Sequence, residues 1–188
     1  MAEPRLRMDE DTYLALDRRS EHKHELWDGE VYAMSGASLA HNQIVGNLVR
    51  HLGNALDGSA CRALPSDMRV RVSSDRYVYP DVTIVCGPPS LAGEHDVLLN
   101  LSAVIEVLSP STAAFDRGDK FAAYRSIVGL DEVVFVSQHE RRVETYTRQD
   151  DDSWLMRESK GDGGLVLSSL STPLSLDRIY RDVQDLAR

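Results

Sequence analysis

Two carboxylates and one ammonium group stand at positions where a folded chain gains little by placing them. Glu106 interrupts the apolar run "AVIEVL" (103–108), Asp81 opens "DVTIVC" (81–86) directly after Pro80, and Lys120 follows in "FDRGDKFAAY". A strand alternates its faces with a period of two, so Asp81 shares a side with Thr83 and Val85, and Glu106 with Val104 and Leu108. Pro80 lacks an N–H and belongs at a strand start or on an edge, which fixes the chain just before Asp81. If the two strands are neighbours, their carboxylates converge and repel, and one takes up a proton unless a cation lies between them. A hard ion such as Mg²⁺ or Mn²⁺ suits oxygen ligands and needs only one or two protein carboxylates. Such an ion polarises a phosphoryl oxygen and lowers the pKa of a bound water. Asp116, Lys120 and Tyr124 are spaced four apart and share a helix face. From that face the Lys120 ammonium is a candidate to orient the water or to stabilise charge building on phosphate.

The elements that must position these groups are readable in outline. "MDEDTYLALDRRS" (8–20) predicts a short helix with acidic residues first and Arg18 and Arg19 last, the order the helix dipole prefers. "HKHELWDGEVYAMS" (22–35) carries Asp28-Gly29 between β-prone arms and predicts a hairpin. Residues 38–56 place Ile44, Leu48, Leu52 and Leu56 on one stripe and predict a second helix, stopped at Asp57-Gly58. Strands follow around 59–73 and 77–87, then a loop at 90–100, the Glu106 strand, and a helix over 113–128. Two strands joined near His139-Glu140, another around Trp154 to Arg157, a last one near 164–168 and a short helix from 175 complete the chain. The order implies a mixed α/β fold, a central sheet with helices on its faces, in a single domain over residues 1–188.

Bulk properties narrow the function. A net charge of -9 with pI near 5.1 argues against a protein that coats nucleic acid, and still allows an enzyme that meets DNA at one local groove. No apolar run is long enough to span a bilayer and the start has no apolar leader segment, so a cytoplasmic protein without membrane attachment is expected. Cys61 and Cys86, far apart in sequence, suggest neither a disulfide framework nor a thiolate metal site and read as buried small residues.

The stretches "YPD", "EVLSPST" and "FDRGDKFAAY" together resemble the Uma-two family of endonucleases, a branch of the PD-(D/E)xK restriction-endonuclease-like superfamily. The resemblance runs from about Met8 to about Arg148. It implies a restriction-endonuclease-like core, Asp81 and Glu106 as ligands of Mg²⁺ or Mn²⁺, and DNA as a transient partner. The superfamily places a Lys two residues after the Glu. Here that position is Leu108, and the resemblance implies that Lys120 on the next helix replaces it. It also implies that Glu25, in the hairpin, is an acidic residue added near the metal. His41, at the start of the second helix, is a candidate for the substrate groove. Arg69 and Arg117 are candidates to hold phosphates. A homodimer is expected, because nucleases that cut both strands often need two sites.

Each residue also has a plainer reading. Alone, Asp81 caps local backbone at a strand start, Glu106 faces water from an edge strand, and Lys120 pairs with Asp116 across one helical turn. His22 and His24 have the spacing of zinc ligands without a third partner. His41 equally suits an ordinary helix-terminal hydrogen bond, and the arginines equally suit scattered solubilising charge. Ser109, Ser111 and Thr112 suit a helix cap better than a nucleophile loop. As a whole, the rival to an enzyme is a binding or scaffolding module that keeps the fold without turnover.

Overall fold

The computed structural model describes residues 7–183. The first six residues, which carry part of the expectation about a leader, and residues 184–188 lie outside it. In chain order the elements are α1 (Glu10–Asp17), β1 (His24–Trp27), β2 (Glu30–Ala33), α2 (Leu39–Leu56), β3 (Cys61–Pro65), β4 (Arg69–Ser73), β5 (Arg76–Val78), β6 (Val82–Cys86), β7 (Leu91–Ala92), β8 (Val97–Leu98) and β9 (Ala103–Leu108). Then come α3 (Ala113–Phe115), a π-helical turn (Asp116–Lys120), α4 (Phe121–Tyr124), β10 (Glu132–Ser137), β11 (Arg142–Arg148), β12 (Trp154–Lys160), β13 (Gly164–Leu165), β14 (Leu174–Ser175) and α5 (Leu176–Ile179).

Among the described residues the strands form two six-stranded sheets, ordered β2-β1-β5-β4-β8-β7 and β12-β11-β10-β9-β6-β3, and a small antiparallel pair β13-β14, where the sequence suggested one sheet. The hairpin forms as expected: Asp28 and Gly29 both take positive φ, 51° and 78°, the geometry of a two-residue hairpin turn. It joins the first sheet through β5, so β1 faces the site from a different sheet than β9 does. The stretch expected as a loop at 90–100 contains β7 and β8, and β8 buries Val97 and Leu98.

In the second sheet β9 lies between β10, its parallel neighbour, and β6, antiparallel to it. Parallel neighbours need a crossover of a dozen or more residues, and α3, the π turn and α4 lie within it. Its residues Tyr124, Ile127 and Leu130 pack against Val85, Val104, Val133 and Phe135 on one face of the sheet. The stripe Ile44, Leu48, Leu52 and Leu56 of α2 covers the other face, against Val82, Ile84, Ile105 and Val107. The strand alternation read from the sequence is therefore realised on both sides. The helix expected over 113–128 ends at Tyr124, and Val128 beyond it is 94% exposed.

Arg69 is buried among Asp17 (2.6 Å), Asp96 (2.8 Å) and the hydroxyl of Tyr79 (2.9 Å), tying α1 and the β7–β8 hairpin to β4. This corrects its expected place on substrate: the guanidinium is committed to carboxylates inside the fold. His24 is likewise held by Asp17, 3.2 Å away, rather than displayed with His22. Burial works against charge on Asp17, but hydrogen bonds from Tyr79 and Arg69 outweigh it and hold the carboxyl below its ordinary value. Hydrogen bonding from Arg18 does the same for Asp96. A depressed carboxylate contributes stability that is present above its unfolded value near pH 4 and is lost as pH falls through the folded value.

Cys61 and Cys86 are a second correction. They stand opposite each other in the β3–β6 register and form a disulfide, with Cα atoms 3.9 Å apart. Sequence separation hid a pairing that strand register creates.

Arg69→Met is expected to destabilise the protein by about 3 kcal/mol, since it leaves Asp17 buried without its cation, and to flatten the acid limb of the stability curve below about pH 4. Denaturant titration across pH 3 to 7 measures both. Cys61→Ser is expected to lower stability by about 3 kcal/mol relative to the oxidised protein, and dithiothreitol should bring the wild type down to the mutant's melting temperature.

Candidate active site

Asp81 precedes β6 by one residue. Because Val82 pairs with Ile105, an antiparallel register carries Asp81 to the level of Glu106 on the next strand. Its Oδ2 accepts a hydrogen bond from the backbone N–H of Val107 at 2.7 Å and lies 3.2 Å from Nε2 of His41. The second of these places His41, at the start of α2, on Asp81. The Nδ1 of the same ring is buried without a hydrogen-bond partner.

Glu106 is buried, its side chain 6% exposed. Its Oε1 accepts a short hydrogen bond of 2.5 Å from the Tyr124 hydroxyl and lies 3.0 Å from Lys120 Nζ. Glu25 approaches from the first sheet. Its Oε1 accepts from the backbone N–H of Tyr79 at 3.0 Å and from Lys120 Nζ at 3.2 Å. Asp116 Oδ1 lies 3.9 Å from the same ammonium. Lys120 is thus surrounded by three carboxylates and is itself only 7% exposed.

The π turn at Asp116–Lys120 is what gathers these groups. Asp116 and Lys120, four residues apart, lie on one face of it, and such turns recur at functional sites. Continuing as α4, the helix then drops the Tyr124 ring into the core over β9. The four-residue spacing exposes this shared face in the sequence; it does not say that Tyr124 would bond Glu106 or that Asp116 would be buried beside it.

Burial pushes the Glu106 carboxyl above its ordinary value, with Asp81 and Asp116 adding to the rise and Lys120 and Tyr124 opposing it. Burial also raises Asp116, again opposed by Lys120. For Lys120, burial favours the neutral amine, but Glu106, Glu25 and Asp116 outweigh it and hold the group above its ordinary value. The site is acid-rich and its one ammonium is firmly charged.

Every hydrogen bond or ion pair described above for Glu25 and Glu106 falls on Oε1, and both bonds to Asp81 fall on Oδ2. Each carboxylate is oriented through one oxygen while the other stays out of that network. Carboxylates that ligate a hard cation are oriented by hydrogen bonds of this kind. Among the described residues, no three acidic, His or Cys side chains are close enough as they stand to hold an ion; the Lys120 ammonium lies between Glu25 and Glu106. The donor set fits Mg²⁺ or Mn²⁺ in chemistry, with oxygen ligands and few of them.

Arg117 makes a two-pronged pair with Glu144 (3.1 and 2.8 Å) on β11, which Arg142 also holds at 3.1 Å. As with Arg69, a chain rich in acid offers this arginine an internal partner, although its side chain, unlike that of Arg69, stays one-third exposed.

The model of the Uma2 family, described as "Putative restriction endonuclease", matches residues 10–181. The chain belongs to this family. Two relatives from Synechocystis are each 35% identical to it: uncharacterized protein slr1290, over 90% of this chain and 89% of its own length, and uncharacterized protein sll1609, over 82% and 88%. The crystal structure of "a putative nuclease belonging to DUF820" from Anabaena variabilis superposes with a TM-score of 0.74 at 17% identity, covering 92% of this chain and 97% of that one. At that identity the likeness shows a shared fold. Among the described residues, no helix is long and apolar enough to cross a membrane.

Tyr124→Phe keeps the buried ring and removes its hydroxyl. It is expected to cost about 2 kcal/mol, because Glu106 loses a donor inside the core. Chemical denaturation measures the loss, and unchanged stability would mean that the hydroxyl does not hold Glu106.

Proposed function

We propose that this Uma2-family protein is a metal-dependent endonuclease that hydrolyses DNA phosphodiester bonds. The observation that carries the reading is the meeting of Glu25 and Glu106, drawn from two sheets, at the buried Lys120, with Asp81 on the strand beside Glu106 and fixed there by the Val107 N–H. Asp81 and Glu106 would hold Mg²⁺ or Mn²⁺, with Glu25 assisting. A divalent ion there supplies Lewis acidity toward a phosphoryl oxygen and a water of lowered pKa.

The chain's own residues have separable tasks. The Val107 N–H and His41 orient Asp81, and Tyr124 orients Glu106. Lys120, near both Glu106 and Glu25, is placed to direct the attacking water or to meet negative charge on the phosphate. The burial of Glu106 and Lys120 strengthens these interactions by excluding water. Cutting both strands of a duplex takes two such centres, and a homodimer would provide them; sedimentation at micromolar concentration should return the mass of two chains.

A binding module that keeps the fold without turnover is the competing reading. It draws on the same ion pairs, because an ammonium fully engaged by carboxylates is also a structural device. Nicking of supercoiled plasmid separates the two. Wild type with Mn²⁺ or Mg²⁺ is expected to convert plasmid to the open circle, chelator to stop it, and Glu106→Ala and Asp81→Ala to lower the rate by at least about a hundredfold. Folded wild-type protein that leaves plasmid intact with every metal would favour the binding module.

A further inference from the structure

Lys120 Nζ lies 3.0 Å from Glu106 and 3.2 Å from Glu25, and 3.9 Å from Asp116. A lysine that only served the attacking water would not need three carboxylates, and burying an ammonium this deeply is unfavourable without them. The same carboxylates would repel one another without the ammonium. Two of the three, Glu25 and Glu106, belong to the ligand set proposed above and come from different sheets. Lys120 therefore stands in the electrostatic position that a divalent ion would take.

We propose that Lys120 is the resident counter-ion of the metal-free site, an ammonium that competes with the divalent ion for Glu106 and Glu25 and is released from them when metal binds. The inference rests on the metal-dependent reading and extends it. It gives Lys120 two successive partners: carboxylates before the metal arrives, water or phosphate afterwards. It also sets the sign of an effect that a purely catalytic lysine leaves open. Removing a positive charge from beside a cation site strengthens the binding of a cation, so loss of Lys120 should tighten metal binding while it impairs cleavage.

The test is calorimetric titration of Mn²⁺ into wild type, Lys120→Met, Lys120→Gln and Lys120→Arg, with no nucleic acid present. The Met and Gln variants are expected to bind on the order of tenfold tighter than wild type, and the Arg variant, which keeps the charge, to show no gain. Their metal-free forms should melt below wild type, and Mn²⁺ should raise their melting temperatures more. Wild type that binds Mn²⁺ while Met and Gln bind it equally or more weakly would overturn the counter-ion role and leave the metal site standing. Absence of Mn²⁺ binding in every protein would overturn both.

A second measurement needs no variant. An amine-acylating reagent followed by mass spectrometry should leave Lys120 protected in chelator and label it once Mn²⁺ is added. Lys23 and Lys160, whose side chains are 38% and 55% exposed, are labelled in both conditions. Equal protection of Lys120 with and without metal, at Mn²⁺ concentrations that titration shows to be saturating, would overturn the proposal.

Discussion

One buried ammonium holds two sheets and a helix in register with each other. Lys120 leaves the π turn and reaches Glu106 on β9 of the second sheet and Glu25 on β1 of the first. A charge so placed is tolerable only because carboxylates surround it, and those carboxylates are tolerable only because it is there. The interaction is therefore a constraint on the whole arrangement: β1 must lie over β9, and the crossover between β9 and β10 must bring its π turn to the same point. The apolar clusters on either face of the second sheet supply the rigidity that keeps these elements fixed.

The supporting contacts follow the same logic. Asp81 is held by the backbone of its neighbouring strand and by His41 at the start of α2, so the sheet and the helix that covers one of its faces both contribute to one carboxylate. Glu25 is anchored by the Tyr79 N–H, and Tyr79 in turn belongs to the polar cluster of Arg69, Asp17 and Asp96 beneath α1. The amino-terminal helix thus reaches the site indirectly, through the strand segment that fixes Glu25.

What the sequence shows and what it hides divide along the line between local and non-local structure. The face that Asp81 and Glu106 each take in their own strands depends only on strand periodicity, and the stripe of α2 only on helix periodicity, so these are readable from the chain; that the two carboxylates meet depends on β6 pairing with β9. The common face of Asp116, Lys120 and Tyr124 is readable as a spacing, but the π turn on which Asp116 and Lys120 stand leaves no distinct pattern. Partner choice is invisible at that level. Arg69 looks like a phosphate ligand until the fold buries it against Asp17, the pairing of Arg117 with Glu144 is equally absent from the local sequence, and Cys61 looks solitary until β3 and β6 align it with Cys86. The division into two sheets is hidden for the same reason, since β1 pairs with a strand some fifty residues away, Leu26 opposite Tyr77. Glu25 entered through family resemblance, because nothing in its own hairpin points toward β9.

We propose that Asp81, Glu106 and Glu25 form a hard-cation site which Lys120 holds closed until metal binds. The most direct test is a crystal of the protein soaked in Mn²⁺, with diffraction measured near the manganese absorption edge. The account predicts an anomalous peak bounded by Asp81 and Glu106, with the Lys120 ammonium moved off Glu106. An anomalous map without density at these carboxylates, in a crystal whose Lys120 remains on Glu106 and Glu25, would contradict it.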